Sequence, residues 1–361
     1  MHKAFQDAAP RSSHIARLMD GPLDVVGDIH GEIDALRDLM GVLGYDEQGR
    51  HPAGRRLVFV GDLCDRGPDS VAVLACVAGL VERGRAQCVL GNHELNVMLG
   101  SPKEGNGWYF DQDHDRDEGK FLSSRRATGA DRVWIDAFIG SLPVALEGPG
   151  LRVVHACWHA GAVQALLDAG ENDIAGIYQA ATRASDDELT RDGTFERARE
   201  EARVHHDALR DPGRRMQLLP ALARKDEAHQ MANPIRILTS GVERRTAVPF
   251  FSSGKWRMVG RAGWWHDYTD DTPVIVGHYW RWPMPVDRST YGKGGEDLFA
   301  GTRMEDWLGP RGKVFCIDYS VGRRFQERER GQAFRTRLGA MQWPERRLVF
   351  DDGTRVDTRV P

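Results

Sequence analysis

The sequence predicts an α/β fold, and three observations carry that prediction. Short apolar runs alternate with longer segments in which apolar residues recur at helical spacing. Glycine and polar residues follow the ends of the short runs, as they do in loops after buried strands. Hydrophobic residues make up 41% and charged residues 28% of the chain, which is the balance of an ordinary folded domain and not of a disordered segment.

The first predicted unit is a strand, a loop and a helix. An apolar run over residues 23–26 ends at a glycine, and the apolar residues that follow recur at helical spacing: Ile33, Leu36, Leu39, Met40 and Leu43. A second run over residues 57–60 leads into Gly61, and the apolar stretch 71–81 after it predicts a buried helix.

Three further short runs repeat the pattern of a strand that leads into polar residues. They lie at residues 89–90, 153–154 and 274–276. In open α/β sheets, ligands bind at the loops that follow the carboxyl ends of the strands. We therefore expect five loops to converge on one edge of the fold.

The chain divides into a leader and one domain. We expect residues 1–22 to form a flexible leader and residues 23–361 to form a single domain. Residues from about 160 to 232 are rich in charge and alanine, which indicates a helical insertion. The Arg-rich stretch 323–337 is interrupted by glutamates and indicates a solvated strand or loop face.

Charge and cysteine content exclude several classes of protein. A formal net charge of −4 predicts no extended surface for nucleic acid. Five cysteines without a C-x-x-C pair do not resemble a disulfide framework or a thiolate zinc site, so a reducing, cytoplasmic compartment fits best. The longest apolar run, residues 71–81, is too short to span a bilayer, and we expect no membrane association.

The first polar cluster is Gly27-Asp28-Ile29-His30-Gly31. Asp28 and His30 lie two positions apart, so in an extended segment both side chains leave the same side of the backbone. Such a pair is able to hold one cation. Taken alone, the pattern is also that of an ordinary strand-to-helix turn between glycines.

The second cluster runs from Gly61 to Pro68 and contains Asp62, Asp65 and Arg66. Asp62 follows Asp28 by 34 residues, which is about one strand, helix and strand. A carboxylate there is able to bridge two cations, and a planar guanidinium suits phosphate oxygens. The alternative is a turn in which Asp65 and Arg66 form a structural ion pair.

The third cluster, Gly91-Asn92-His93-Glu94, lies 30 residues after Asp62. The carbonyl oxygen of Asn92 is a neutral metal ligand, although an asparagine in a loop is more often a turn residue. His93 is able to protonate a leaving oxygen if a carboxylate holds and charges its ring. Glu94 supports the ligands or is simply an acid at the start of a helix.

These three clusters, in this order, resemble the calcineurin-like metallophosphoesterases, and most of all their bacterial-type phosphoprotein phosphatase branch. That branch carries GDxHG, GDxxDRG and GNHE, and this chain has GDIHG at 27–31, GDLCDRG at 61–67 and GNHE at 91–94. The resemblance covers residues 23–100 and short segments around His155, His278 and Asp318. His155 and His278 match the two later histidines of the family, although Cys157 stands where the family commonly has glycine.

The resemblance implies a layered β-sandwich flanked by helices and a pair of divalent metal ions. The implied ligands are Asp28, His30 and Asp62 for one ion and Asp62, Asn92, His155 and His278 for the other, with Asp62 as the bridge. A hydroxide between the two ions then attacks phosphorus in line, without a phosphoenzyme. This ligand set suits Mn²⁺, which we favour, and also Fe, Zn²⁺ or Mg²⁺.

The resemblance also implies the catalytic residues of the site. Asp65 orients His93, which donates a proton to the leaving oxygen, while Arg66 and Asn92 hold phosphate oxygens. The family often adds a second phosphate-binding arginine from the region before the last histidine. The sequence does not rank the candidates, which are Arg236, Arg245, Arg257 and Arg261.

The substrate remains open among several phosphorylated partners. We expect first a phosphoprotein carrying phosphoserine, phosphothreonine or phosphotyrosine. Diadenosine tetraphosphate and similar dinucleoside polyphosphates are the alternative, because bacterial relatives with the same motifs split them. A polynucleotide-end phosphatase is a third reading, because residues 51–94 resemble the phosphatase module of bacterial end-healing proteins. A silent phosphate-binding adaptor would have no use for His93 and Asp65.

Aromatic residues close to the clusters are the expected source of substrate choice, although packing in the core accounts for most of them. They are Trp108, Tyr109, Trp264, Trp265, Trp280 and Trp282.

Overall fold

Two β-sheets stack on each other and carry helices on their outer faces in the computed structural model. The model describes residues 14–110, 117, 120–121, 124–170, 173–252, 254–286 and 294–360. Within these residues the strands are β1 (Ile15–Arg17), β2 (Leu23–Val26), β3 (Arg56–Phe59), β4 (Ala86–Cys88), β5 (Ala145–Glu147), β6 (Arg152–Val154), β7 (Glu243–Ser252), β8 (Lys255–Arg261), β9 (Val274–Val276), β10 (Val314–Cys316), β11 (Gly339–Trp343), β12 (Arg347–Phe350) and β13 (Arg355–Asp357).

The helices alternate with the strands over the first half of the chain. They are α1 (Ile33–Leu43), α2 (Ser70–Glu82), α3 (Asn92–Met98), α4 (Gly129–Gly140), α5 (Ala160–Asp168), α6 (Ile174–Arg191), α7 (Thr194–Val204), α8 (Pro220–Met231), α9 (Pro234–Ser240) and α10 (Arg324–Glu329). No helix among the described residues combines the length and the apolar character that crossing a bilayer requires.

The strands form two main sheets and one ribbon. The first sheet has the order β1-β5-β6-β9-β10, the second has the order β13-β12-β11-β2-β3-β4, and β7 pairs with β8 alone. Strands β2, β3 and β4 are parallel to one another, as are β6, β9 and β10. Parallel strands end at the same edge of a sheet, so the loops that follow them lie side by side.

Period-two alternation along the strands divides the core into two layers. Val25, Val58 and Ile275 belong to a cluster built from strands of both main sheets. Their neighbours Val26 and Phe59 belong to a larger cluster that includes the buried faces of α1 and α2. Because successive side chains of a strand point to opposite faces, one layer fills the space between the sheets and the other lies under the helices. The predicted α/β fold of sheets flanked by helices is confirmed.

The two helices that separate the first three parallel strands have the predicted bounds to within one residue. Helix α1 buries Leu36, Leu39 and Leu43, and it ends at Gly44, whose φ of +97° lies in the left-handed region. Helix α2 begins after Asp69, whose carboxylate accepts a hydrogen bond from the backbone N–H of Ala72 at 2.8 Å. Gly44 therefore ends α1 and Asp69 begins α2, which fixes where the chain leaves the first helix and enters the second.

Helices α5, α6, α7 and α8 lie within the range 160–232, which the composition predicts as a helical insertion. The antiparallel ribbon of β7 and β8 that follows was not predicted. Its ten-residue first strand is half-buried or exposed at nearly every position, so it shows no apolar alternation. A ribbon that packs little apolar surface leaves no clear signal in the sequence.

Two other segments differ from the prediction. The predicted leader, residues 1–22, includes strand β1, which pairs with β5, and the side chain of Leu18 directly after β1 is buried. Residues 1–13 lie outside the described residues. The Arg-rich stretch 323–337 begins with a 3₁₀ turn and helix α10, and it buries Arg323 and Arg324. The interpretation of that stretch as a solvated face was wrong for these first two arginines, of which Arg323 lies against aromatic rings, whereas residues 328–335 are exposed as predicted.

A buried ion pair ties strand β2 to the loop before β3. The carboxylate of Asp24 is fully buried and accepts hydrogen bonds from Arg55 Nε at 3.0 Å and from the hydroxyl of Tyr45 at 2.6 Å. Arg55 also donates to the backbone carbonyl of Leu23 and to Glu345. A buried carboxylate keeps its charge only while such donors surround it.

We expect Arg55→Leu to lower the free energy of unfolding by about 3–5 kcal/mol, because it leaves Asp24 buried without its cation. The matched control is Arg347→Leu, since Arg347 contacts Asp357 at 2.7 Å in an exposed pair. Solvent screens that pair, so its loss should change the free energy of unfolding far less than the loss of Arg55. Urea denaturation followed by circular dichroism measures both. Equal losses in the two variants would contradict the assignment of Arg55.

Candidate metal centre and active site

All six predicted metal ligands lie together at the edge where the parallel strands end. Each follows one of those strands by a few residues. Asp28 and His30 follow β2, Asp62 follows β3, Asn92 begins α3 after β4, His155 follows β6, and His278 follows β9. The five expected loops therefore do converge, and they come from both main sheets.

Asp62 lies at the centre of this group. Its Oδ2 atom is 3.3 Å from His155 Nε2, 3.7 Å from His30 Nε2 and 3.8 Å from His93 Nε2. Among the described residues, two sets have ligand atoms within 4.8 Å of one another, namely His30, Asp62 and His93, and Asp62, His155 and His278. Asp62 belongs to both sets, which is the arrangement that a bridging carboxylate requires.

Backbone carbonyls orient two of the imidazole rings. His30 Nδ1 lies 3.0 Å from the carbonyl oxygen of Cys64, and His155 Nδ1 lies 2.7 Å from that of Val60. A carbonyl only accepts, so each ring carries a proton on Nδ1. The Nε2 atoms of His30 and His155 then face the centre, as in histidines that ligate a metal.

His278 carries a nitrogen that is suited to a cation. Its ring is buried, its Nδ1 lies 2.8 Å from Asn92 Oδ1, and its Nε2 has no hydrogen-bond partner among the described residues. Burial, together with the positive charge of Arg261, holds the pKa of His278 well below its usual range. The ring is therefore neutral at neutral pH, and a neutral imidazole is the form that binds metal.

Burial and neighbouring charges shift the pKa values of the acids and of one histidine at the centre. Burial raises the pKa of Asp28 well above its usual range, and the negative charge of Asp318 raises it further. Burial also acts on Asp62, but the neighbouring rings of His155 and His93 hold the pKa of Asp62 well below its usual range. Asp62 in turn, against the effect of burial, raises the pKa of His155 to about 10. A cluster of oxygen and imidazole ligands with this balance fits divalent cations.

A second group lies beside the ligands and consists of Asp65, Arg66 and His93. His93 Nδ1 donates to Asp65 Oδ2 at 2.5 Å, and the indole N–H of Trp108 donates to Asp65 Oδ1 at 2.6 Å. Arg66 reaches His93 Nε2 at 3.0 Å and His30 Nε2 at 2.9 Å. The sequence predicts the contact between Asp65 and His93, but it does not predict the support from Trp108.

The carboxylate of Glu94 holds two of the loops together. It accepts hydrogen bonds from four backbone N–H groups, which belong to Asp62, Leu63, Cys64 and Gly91 at 2.8–3.2 Å. These groups lie in the second and third sequence clusters. Of the two roles considered for Glu94 from the sequence, support of the ligands is the one that these contacts match.

The turns at the site require unusual backbone conformations. His30, Asp62, Asp65, Arg66 and His278 all have φ between +49° and +75°. Such a conformation costs a side-chain-bearing residue on the order of 1–3 kcal/mol, and it persists only where surrounding contacts impose it. Here the carbonyl of Asp62 accepts the N–H groups of residues 29 and 30, both at 2.9 Å, which joins the first two clusters.

Close approach of the two sheets explains a glycine beside the last ligand. A Cβ atom on Gly277 would lie 2.0 Å from Asp28 Oδ1. The carboxylate of Asp28 instead accepts the backbone N–H of His278 at 3.0 Å. Any larger residue at 277 would push apart the loops that follow β2 and β9.

The site opens into a cleft of about 1760 Å³. The four arginine candidates before the last histidine, Arg236, Arg245, Arg257 and Arg261, all line it. Arg261 also donates to the backbone carbonyl of His278 at 3.2 Å, which brings it next to the ligands. The lining that the structure describes includes ten arginines or lysines and five acids, an excess of five positive charges in a chain with a net charge of −4.

The aromatic candidates divide between the core and this cleft. Trp108, Trp264 and Trp265 are buried in the core, as expected for most of the set. Trp280 and Trp282 line the cleft beside the ligands. Tyr109 packs against the core at its edge.

We expect Glu94→Gln to lower the free energy of unfolding by about 1–3 kcal/mol and to weaken Mn²⁺ binding. A carboxamide places an NH₂ group against backbone N–H donors, which leaves some of the four donors unpaired. Urea denaturation and calorimetric titration with Mn²⁺ measure the two effects. The control is Glu82→Gln at the exposed end of α2, which should change stability by less than about 0.5 kcal/mol. Unchanged metal affinity in Glu94→Gln would disprove the role given to this carboxylate.

Comparison with known proteins agrees with the site. The asymmetrical bis(5′-nucleosyl)-tetraphosphatase PrpE of Halalkalibacterium halodurans is 48% identical over 73 residues, which are 19% of this chain and 30% of that protein. The symmetrical bis(5′-nucleosyl)-tetraphosphatase of Ralstonia nicotianae is 42% identical over 77 residues, which are 21% of this chain and 24% of that protein. The match thus spans less than a third of either relative.

A solved structure is similar over almost the whole chain. It is the cold-active protein-tyrosine phosphatase of a psychrophilic Shewanella species, with 15% identity, a TM-score of 0.47, and coverage of 99% of this chain and 85% of that one. Residues 21–215, more than half of the chain, match the family model of the calcineurin-like phosphoesterases. The chain belongs to the calcineurin-like phosphoesterase family.

Proposed function

We propose that the protein is a metal-dependent hydrolase of phosphate esters. The observation that carries this proposal is that Asp62 belongs to two sets of candidate metal-ligand atoms, and that His93, a member of one set, also contacts Asp65 and Arg66. Membership of the calcineurin-like phosphoesterase family supports it. A site that only bound phosphate would need the arginine but no pair suited to proton transfer.

Two divalent cations fit the described side chains. We assign one to Asp28, His30 and Asp62, and the other to Asp62, Asn92, His155 and His278. When bound, such cations lower the pKa of a water molecule and neutralise the charge that develops on the phosphoryl oxygens. Mn²⁺ is our proposal for the assay, because imidazole and carboxylate ligands without thiolate suit it.

His93 supplies the proton in this proposal. Asp65 accepts the Nδ1 proton and so holds the ring with Nε2 directed at the site. Trp108 keeps the other oxygen of Asp65 occupied and so fixes the carboxylate. The leaving oxygen of the ester receives the Nε2 proton as its bond to phosphorus breaks.

Arg66 and Asn92 bind the phosphoryl group. The guanidinium of Arg66 lies between the Nε2 atoms of His30 and His93, within reach of an oxyanion at the same place. The amide nitrogen of Asn92 provides a second donor while its oxygen faces His155 and His278. Two donors on one phosphoryl group fix its orientation relative to His93.

Phosphoproteins are the first substrate class that we propose, with phosphoserine, phosphothreonine or phosphotyrosine as the reacting group. The residues of the three sequence clusters match the motifs of the phosphoprotein phosphatase branch, and this match supports the choice. Dinucleoside tetraphosphates are the second candidate. The names of the similar proteins and the excess of positive charge in the cleft favour it, since a tetraphosphate carries several anionic groups.

We further propose a single catalytic domain over residues 23–361 and a cytoplasmic location. The location rests on the five cysteines, all of which are free.

We expect the purified chain to hydrolyse p-nitrophenyl phosphate with Mn²⁺ and to lose this activity in a chelator. His93→Asn should lower kcat by about 10²–10⁴-fold, because the leaving oxygen loses its proton donor. Two metal ions per chain, measured by elemental analysis, should remain in this variant. Loss of the metal would show that His93 is a ligand, and absence of hydrolysis with every divalent metal would refute the proposed function.

The matched control for that experiment is His159→Asn. His159 lies two residues after Cys157 and caps helix α5, where its ring accepts the N–H of Ala162 at 3.1 Å. Asparagine is a good cap at the same position. We expect kcat to change by less than about twofold, because the ring of His159 serves the helix and not the site.

A panel of substrates separates the two candidates. Phosphopeptides, diadenosine tetraphosphate and 2′- or 3′-phosphorylated oligonucleotides are compared by kcat/KM under identical metal conditions. A phosphoprotein phosphatase should prefer the phosphopeptides by at least about tenfold. Preference for the tetraphosphate would select the second candidate, and preference for the oligonucleotides would reject both.

A further inference from the structure

The guanidinium of Arg66 stacks on the ring of Trp280. The Cζ atom of Arg66 lies 4.7 Å from the centroid of the indole, well within the range of a cation–π interaction. Its N–H groups meanwhile point at the Nε2 atoms of His30 and His93. Trp280 therefore forms one wall of the place where the guanidinium is held.

The contact of Arg66 with His30 competes with the metal. If His30 Nε2 binds a cation, as the proposed function requires, its single lone pair is no longer available to the N–H of Arg66. The same nitrogen cannot accept a hydrogen bond and ligate at once. The contact with the indole face does not need the lone pair of His30, so it attracts the guanidinium whether or not a cation occupies the centre.

The backbone of Trp280 is held firmly in an unfavourable conformation. Its φ is +58°, which is rare for a bulky side chain. Its N–H donates to the buried carboxylate of Asp318 at 2.7 Å. The hydroxyl of Ser320 donates to the carbonyl of Arg281 at 3.0 Å, so the segment after His278 is tied to the loop after β10 at two points.

A second cation shares the indole. The Cζ atom of Arg323 lies 5.8 Å from the Trp280 ring and 5.5 Å from the ring of Trp282. Trp282 thus offers a comparison within the same wall, since it has the same ring and its cationic neighbour is Arg323. Comparing variants of Trp280 and Trp282 therefore distinguishes a ring that acts on Arg66 from one that only lines the cleft.

We propose that Trp280 is a positioning residue that holds the guanidinium of Arg66 where it binds the oxygens of the phosphoryl group. Asp318 holds Trp280 by its backbone. The inference rests on the proposed function, because it concerns the same arginine. It adds a residue that the three sequence clusters do not contain and that is not itself a metal ligand in this assignment, although its ring centroid lies 6.4 Å from that of His30.

The test measures the affinity of the full-length, Mn²⁺-loaded protein for inorganic phosphate by calorimetry. Trp280→Leu should weaken binding on the order of tenfold, and Trp280→Phe should retain part of the affinity because it keeps an aromatic face. The matched control, Trp282→Leu, removes the same ring from the same wall. It should leave the affinity within about twofold. An equal loss in Trp282→Leu would overturn the proposal.

A double-mutant cycle shows whether Trp280 acts through Arg66. The affinity for phosphate is measured for Arg66→Ala, Trp280→Leu and the double variant. We expect Trp280→Leu to have almost no further effect once the guanidinium is gone. The same fold loss in both backgrounds would show a general structural effect and overturn the proposal. If Trp280→Leu does not fold, the cycle is built with Trp280→Phe.

Hydrolysis of p-nitrophenyl phosphate by the same proteins separates the two proposals. A wild-type chain that binds phosphate but hydrolyses nothing would refute the proposed function, and the binding cycle would still decide on Trp280. A wild-type chain that hydrolyses with an additive cycle would refute the role of Trp280 alone. Failure of the wild-type chain to bind phosphate would overturn the inference directly.

Discussion

The carboxylate of Glu94 is the interaction on which the site most depends. It binds four backbone N–H groups of two loops that belong to different strands, and it thereby brings Asp62 next to the start of α3. His93 N–H in turn donates to Asp62 Oδ1 at 3.0 Å. A carboxylate is the only side chain that accepts four such bonds, since its two oxygens have about four lone-pair directions. The turns with positive φ at His30 and Asp62 are maintained against their cost by contacts of this kind.

Charge compensation explains why these loops carry the residues they do. Asp28, Asp62 and Asp318 are buried close together, and buried carboxylates require cations or donors. The ring of His155 and the guanidinium of Arg66 supply part of the required positive charge within the protein itself. Cations bound at the same place would neutralise the remaining negative charge of these carboxylates. Metal binding would then stabilise the folded loops.

The cleft differs in charge from the molecule as a whole. The net charge of −4 predicts no broad basic surface, yet arginines gather along the opening of the site. Net charge sums over the whole surface, whereas an anionic substrate responds to the field of the cleft it enters. Residues of helix α9, of the ribbon of β7 and β8 and of the segment after β10 build that opening. Arg236, Arg261 and Arg323 come from three such places.

The sequence alone determined the fold class and the identity of the clustered residues. Strand and helix periodicities are local, and three ordered clusters at loop positions pointed to Asp28, Asp62 and His93 together. Only the tertiary structure decided which side chains support them. The indole N–H of Trp108 at Asp65 and the ring of Trp280 against Arg66 join residues that are far apart along the chain. Such pairings depend on how two sheets pack and on turns in the left-handed region, and neither leaves a pattern in the local sequence.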